Sequence, residues 1–319
     1  MKLARGHRGE NEDNPVAYVR NAVEDLLGKL GDRKRLTSFR PPKRLYHYTD
    51  ARGVEGILRN CCIHATNLGF MNDAGELQYA RNLVQKVADE LDSNCSDAVS
   101  FSLGGFVNAL GDRRMQYYAA CFCADGDLLS QWRAYADSGG GYAIGFDTAA
   151  LLRSVQGKMG LQRRAWGSRL QQVDYDPHTQ ENIIRPICAG FALIGKTCTQ
   201  EFRRHRQLRD AIAQCIGSLF LTLAPELSRV KSPSFREEQE WRIAVLQEDL
   251  PRTFRVSRGG LLVPYLELSL PGPDSGVIAE FRWGPTLSPQ LARLGLQTCA
   301  EAFGYTGLEV NGSSIPLRT

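Results

Sequence analysis

A mixed α+β fold is what the sequence predicts, and three observations predict it. Apolar or alternating runs of strand length recur at 44–50, 61–67, 117–124, 141–147, 240–246, 261–268 and 276–284. The helical segments between them are uneven in length, whereas a regularly wound parallel sheet places a helix at every crossover. The runs at 240–246 and 261–268 follow one another with no helix between them, which excludes a uniformly alternating parallel sheet.

Each element has its own local signal. Residues 15–30 place Val19, Val23, Leu26, Leu27 and Leu30 at helical spacing, with Asn14 before Pro15 as a cap. The basic stretch 31–44 holds Pro41 and Pro42, which cannot continue a helix, so residues 1–42 read as an N-terminal helix and linker and 43–319 as the main domain. RLYHYTD is a strand closed by Thr49 or Asp50, either of which can cap a helix over 51–60. CCIHATN is a second strand. In the helix that follows, Leu77, Ala80, Leu83, Val84, Val87 and Leu91 share one face, with Asn72 or Asp73 as cap and Glu76 in the first turn. YYAACFCA reads as a buried strand, followed by the helix LLSQWRAYAD, a turn of three glycines at 139–141 and the strand GYAIGFD. Residues 177–228 repeat Ile183, Ile187, Phe191, Ile194, Ile212, Ile216, Leu219 and Leu223 as a largely helical insertion. A helix over 288–303 and a strand near 308–310 close the chain.

The 319 residues can bury a sizeable core, and 43% hydrophobic with 23% charged residues excludes a disordered or fibrous chain. The polar start and the lack of a long apolar run lead us to expect a soluble cytoplasmic protein. A formal charge of +4 tolerates an anionic ligand or nucleic acid without demanding either. Nine cysteines are an odd number, and neither Cys61-Cys62 nor Cys121-x-Cys123 has zinc-clip spacing, so reduced thiols and no metal site are expected.

Common catalytic signatures are missing. There is no GxxxxGK[ST], HExxH or GxSxG. The glycines at 139–141 and Gly145 precede a strand, where a dinucleotide fingerprint must follow one, so any NAD binds otherwise than in a Rossmann domain.

Three segments carry more polar and aromatic residues than packing requires. In Tyr46-His47-Tyr48-Thr49, alternation puts His47 and Thr49 on one face and the tyrosines on the other, and a satisfied structural histidine is the plain alternative to a functional one. Phe70-Met71-Asn72-Asp73 with Glu76 is also fully explained as a helix cap. Glu237, Glu238 and Glu240 lead into an apolar strand. Extended, the chain puts Glu238 and Glu240 on one face, a repulsion that a ligand, a cation, Arg236 or Arg242 must offset.

In order, RLYHYTD, FMNDAGEL, FCADGDLLSQWRAYADSGGGYAIGFD, SFREEQEWRI, a late WGP and a terminal SSIPLR resemble the bacterial domain-of-unknown-function family DUF2971, from about Leu45 to Arg318. That family is in turn similar to the ADP-ribosyltransferase superfamily. The resemblance implies a split mixed β-sheet core with NAD as substrate, and a protein or nucleic acid as acceptor, in the manner of a toxin or phage-defence effector. It implies His47 as holder of the nicotinamide ribose, Glu240 as catalytic carboxylate and Glu238 as the preceding acid of the Glu-x-Glu pair. For the aromatic packed on nicotinamide, Phe70, Tyr79 and Tyr135 are available, Phe70 preferred because it lies just after the second strand. Thr49, Arg52 and Asn72 complete the candidate cofactor-binding set, Arg52 or Asn72 as donors to the pyrophosphate.

Those residue types suit the chemistry. Cleaving the bond from ribose C1′ to nicotinamide passes through an oxocarbenium-like centre, which a fixed carboxylate stabilises most strongly in an apolar site. His47 would orient the sugar. A competing expectation is a module of the same fold that binds a nucleotide or nucleic acid without turnover. A metal-dependent nuclease is weaker, because the acidic cluster has no second carboxylate cluster at a partner spacing.

Overall fold

The computed structural model describes residues 40–71, 75–93, 96–110, 116–135, 141–157, 165–197, 226–247, 253–257 and 259–316, with isolated positions at 21, 210, 213, 214 and 217. The helix expected at 15–30, apart from position 21, the cap at Asn72 or Asp73, Gly139-Gly140 and the repeat positions Ile212, Ile216, Leu219 and Leu223 lie outside these. The chain divides into two compact units.

The helical unit draws its described residues chiefly from 75–115 and 176–230, so the expected insertion at 177–228 is grouped with an earlier stretch of chain. Among the described residues, its three main helices are α2 (Glu76–Asp92), α3 (Asp97–Leu110) and α6 (Pro177–Thr197). They bury Ala80, Val84 and Val87, then Val99, Leu103 and Phe106, then Ile184, Ile187, Phe191 and Ile194. Phe106 stacks on Phe191 at 4.2 Å, and Ser102 donates to the Phe191 carbonyl at 2.7 Å. Gly195 lets α3 and α6 close up, since a Cβ there would lie 2.5 Å from the Val99 Cα.

The strand unit holds one ten-stranded mixed sheet. Its strands are β1 (Arg44–Thr49), β2 (Cys62–Asn67), β3 (Gln116–Cys123), β4 (Tyr142–Asp147), β5 (Ala165–Gln172), β6 (Glu240–Gln247), β7 (Phe254–Val256), β8 (Leu262–Ser269), β9 (Ile278–Trp283) and β10 (Glu309–Gly312). The β9–β10 pair is parallel and the other pairs are antiparallel. Four more helices belong here: α1 (Ala51–Asn60), α4 (Leu129–Tyr135), α5 (Thr148–Gly157) and α7 (Pro289–Ala302). Asp50 caps α1, its Oδ1 accepting from the Gly53 amide at 2.8 Å, and Asp147 does the same for α5 through Ala150.

Two features of the sheet position everything that follows. The first is a fork. β6 pairs with one edge of β3 along its whole length, from Gln116↔Gln247 to Cys123↔Glu240. The other edge of β3 is shared: β1 takes one end at Tyr46↔Cys123, and β2 takes the other at Thr66↔Ala119 and Asn67↔Tyr118. β1 and β2 therefore part beside Ala120–Phe122.

The second is a difference between faces, because residues paired across a ladder point the same way. One face buries Leu45, Phe122, Ile144, Trp241, Ile243 and Phe281 in a single core with Val54, Ile57 and Leu58 of α1, Leu151 of α5, and Leu296 and Ala300 of α7. The opposite face carries Tyr46, Tyr48 and Cys123 under Trp132 of α4.

Candidate functional site

The register does not bring His47 and Glu240 together. Tyr46 faces with Cys123, and Cys123 with Glu240, so Glu240 lies on the tyrosine face. His47, one residue on from Tyr46, points to the core face, its ring 5.9 Å from Phe122. β3 also stands between the two strands, so β1 and β6 are not neighbours in the sheet.

Glu240 sits in a closed charge cluster. Arg242 grips its carboxylate with two bonds of 2.7 Å, Nε to Oε1 and Nη2 to Oε2, and Lys231 Nζ donates to Oε2 at 3.0 Å. Lys231 also pairs with Glu238, which places two carboxylates against two cations. Arg242 is 1% exposed and Glu240 5%. Burial pushes the Glu240 carboxyl up, but Arg242 and Lys231 override it and hold it at about 2, so it stays ionised. Burial raises the Glu238 carboxyl and the nearby Tyr135 and Tyr175 phenols. The offsetting cations are thus Arg242 and Lys231, the latter not singled out in the sequence. Glu238 is not on an extended chain either: it ends a 3-10 turn over Pro233–Glu238, and Gln239, at φ 46°, turns the backbone into β6.

The same design recurs across the sheet. Glu280-Phe281-Arg282 on β9 repeats the pattern of Glu240-Trp241-Arg242 on β6, with the aromatic in the core. Arg282 Nε donates to Glu280 Oε1 at 3.0 Å, and Arg44 pairs with the same carboxylate. One cross-strand row runs Glu280, Gly145, Tyr46, Cys123, Glu240. Gly145 and Gly126 make room for the Tyr46 ring, which a Cβ would approach to 3.1 and 2.5 Å respectively. Two Glu-aromatic-Arg segments, each with a buried glutamate, therefore frame the tyrosine face.

Asp127 ties the ends of that face together. Its Oδ1 accepts from the Trp132 indole at 2.9 Å and from the Ser313 hydroxyl, and its Oδ2 from the amide and hydroxyl of Ser314, each at 2.7 Å. Tyr48 Oη donates to the Asp125 carbonyl and accepts from the Leu128 amide, both at 2.9 Å. The Ser-x-x-Trp helix and the terminal serine pair are thus parts of one clamp, an assignment that no single motif reveals. Beside it, a shallow recess of about 280 Å³ is lined by Gly141, Tyr142, Trp283, Gly284, Thr286 and Leu291, short of the size of a typical ligand pocket.

The fork has a different character. His47 Nδ1 lies 2.8 Å from the Cys121 carbonyl, on the stretch of β3 that β1 and β2 leave. Burial lowers the His47 pKa, outweighing the hydrogen bond to that carbonyl, so the ring is neutral near pH 7. Arg255 on β7 lies within electrostatic reach of both His47 and His64. Its guanidinium donates to Thr66 Oγ1 at 3.0 Å and, among the described residues, forms no ion pair. Arg255 is exposed along β7, yet the atoms around its guanidinium lower its pKa by desolvation, and Asp50 partly compensates. Sequence reasoning missed Arg255 because three-residue β7 has no apolar run or alternation to mark it.

The remaining candidates scatter. Thr49 packs its hydroxyl on the first turn of α1, where a Cβ on Gly53 would lie 1.8 Å away. Arg52 is exposed on α1. Phe70 is 50% exposed at the end of a 3-10 turn after β2. Tyr135 packs at the Trp132 cluster and senses the Glu240 charges. Tyr79 belongs to the helical unit, where its hydroxyl donates to Gln180 at 2.8 Å. Asn72 lies outside the described residues. The described cysteines are free thiols, and no helix among the described residues is long and apolar enough to cross a membrane.

Residues 131–243, which span the Trp132 helix, β4 to β6 and the Glu240 cluster, match the model of a family described as a protein of unknown function, DUF2971. No curated protein and no solved structure gives a significant match.

Proposed function

We propose that this chain is an ADP-ribosyltransferase-like domain that binds a nucleotide, NAD in the first instance, at the fork between β1 and β2, and that it makes no catalytic use of Glu240. The observation that carries the reading is Arg255: a cation with a single neutral hydrogen-bond partner among the described residues, within reach of a neutral histidine at the point where the sheet opens. Such a cation suits a phosphate, and a neutral imidazole suits a ribose hydroxyl. Both carboxylate oxygens of Glu240 are already engaged by Arg242 and Lys231, on the other face of the sheet from His47. That favours binding without turnover over NAD cleavage through this residue.

The test is ligand-dependent stability of the full chain. NAD at a hundred times its Kd should stabilise the protein by about 2.7 kcal/mol, with ADP-ribose acting similarly. Arg255→Gln should remove most of that response. The proposal fails if neither NAD, ADP-ribose nor a mononucleotide shifts the melting temperature. It fails equally if the wild-type protein releases nicotinamide and Glu240→Gln, still folded, does not.

A further inference from the structure

Beside the fork, the paired strands β2 and β8 carry a third group of side chains. Cys62 and His64 are two residues apart on β2 and so share a face, and the ladder sets Glu267 of β8 directly opposite His64. The Cys62 Sγ, a ring nitrogen of His64 and a Glu267 carboxylate oxygen all lie within 4.8 Å of one another. None of the three forms a hydrogen bond or ion pair among the described residues, and the His64 ring stacks on Tyr265 with centroids 3.9 Å apart. Three groups of ligating type converge with their valences unused, on rigid strands, with one ring orientation already fixed.

We propose that Cys62, His64 and Glu267 form a binding site for a zinc-class divalent ion. The donor set decides the class: a thiolate and an imidazole select zinc or a similar borderline metal, whereas calcium and magnesium require oxygen ligands. Thiolate and carboxylate together carry two negative charges and the imidazole none, so a divalent ion is neutralised by its ligands. On binding, the Cys62 S–H bond breaks, its electron pair goes to the metal and its proton to solvent. Arg255, within electrostatic reach of His64, opposes the ion's charge, and the two anionic ligands offset it. Cys62 is buried, His64 partly so and Glu267 exposed, so the group reaches from the interior to the surface, and a fourth position on the Glu267 side would be open to water or another ligand. The cysteine spacings that argue against a zinc clip are no objection, because the ligands come from a Cys-x-His step on one strand and a carboxylate on its neighbour. This site goes beyond the nucleotide reading and does not depend on it.

Cobalt(II) is the probe, added to the full chain after treatment with a chelator. One equivalent should produce a thiolate-to-cobalt charge-transfer band with the strong visible bands of a tetrahedral ion, and one equivalent of zinc should abolish both. Cys62→Ser should remove the charge-transfer band. Glu267→Gln, on the surface and harmless to folding, should weaken binding by about 100-fold, at the upper end of the cost of losing even a supporting group. Cys61→Ser is the control, since the Cys61 thiol faces the Leu58 carbonyl and the Tyr305 hydroxyl and should leave the spectrum unchanged. The proposal is overturned if stoichiometric cobalt gives no such bands, or if they persist in folded Cys62→Ser. Should Cys62→Ser not fold, unchanged affinity in Glu267→Gln overturns it alone.

Discussion

The Glu240 cluster and the β1–β2 fork are both rich in polar groups, yet they differ in what those groups have left to offer. At Glu240, two carboxylates meet two cations with the carboxylate of Glu240 fully engaged, and all but Glu238 are nearly sealed from water. At the fork, Arg255 has a hydroxyl where a carboxylate could be, and His47 is neutral beside a carbonyl. Residues that look most reactive in the sequence can thus be the most completely consumed by the fold. A functional group has to keep an unspent valence, and spacing along the chain does not report whether it does.

The comparison breaks most sharply at Glu240. Glu240→Gln removes the charge that compensates Arg242 and Lys231, and breaking a buried pair from one side costs about 3–5 kcal/mol. Urea denaturation should show a loss of that size, with the unfolding slope unchanged. A loss under about 1 kcal/mol would mean that the cluster is solvated like an ordinary surface pair, and Glu240 would again be free to react.

Acid sharpens the same contrast. The folded Glu240 carboxyl titrates at about 2, below its ordinary value of 4.5, so its contribution is complete above pH 4.5 and is lost as pH falls toward 2. The raised carboxyl of Glu238 runs the other way: its contribution is complete below 4.5 and fades as pH rises through its folded pKa. Stability should therefore fall on the acid side between about pH 4.5 and 2 by more in the wild type than in Glu240→Gln. Equal acid limbs in the two proteins would show that Arg242 does not hold the charge.

The clamp at Asp127 tests whether the rest of the tyrosine face is likewise structural. Asp127→Ala strips acceptors from the indole of Trp132, which is 3% exposed, and from Ser313 and Ser314. Bonds to a charged acceptor contribute more than neutral ones, so a loss of about 2 kcal/mol is expected, with earlier hydrogen exchange of residues 311–315. Protection unchanged there would show that Asp127 does not hold the terminal strand in place.

Much of the fold was legible in the sequence, because periodicity reports burial. Strands such as 117–124 and 240–246 and the helix 288–303 lie within a residue or two of β3, β6 and α7. A cap at Thr49 or Asp50 was readable from chemistry alone, and the structure gives it to Asp50. α3 was not, since Gly104 and Gly105 interrupt its apolar face, nor was β5, whose AWGSRLQQ is neither apolar nor alternating. The site was legible as a set of residues and not as an arrangement. Alternation correctly gives His47 and the tyrosines opposite faces, but only the β1–β3–β6 register relates His47 to Glu240. Arg242 was within reach of sequence reasoning, whereas Lys231, which completes the cluster, and Arg255, left open at the fork, come from segments with no pattern to distinguish them.

The smallest effect on stability should come from His47, and for that reason it separates the two regions most cleanly. His47→Ala loses one hydrogen bond to the Cys121 carbonyl and a ring contact with Phe122 at the margin of the core. Because the residue is only partly buried, water can replace the lost donor, and the cost should be about 1 kcal/mol. Its neutral state adds a pH signature. Because burial depresses the folded pKa below 6.5, the unfolded chain binds the proton first, so the wild type loses more stability as pH falls through 6.5 than His47→Ala, which keeps only the depressed His64. If the fork is where a nucleotide binds, this nearly silent substitution should still abolish the NAD-dependent rise in melting temperature. A variant that melts like the wild type and responds to NAD like the wild type would leave His47 as no more than the donor that satisfies a carbonyl where the sheet divides.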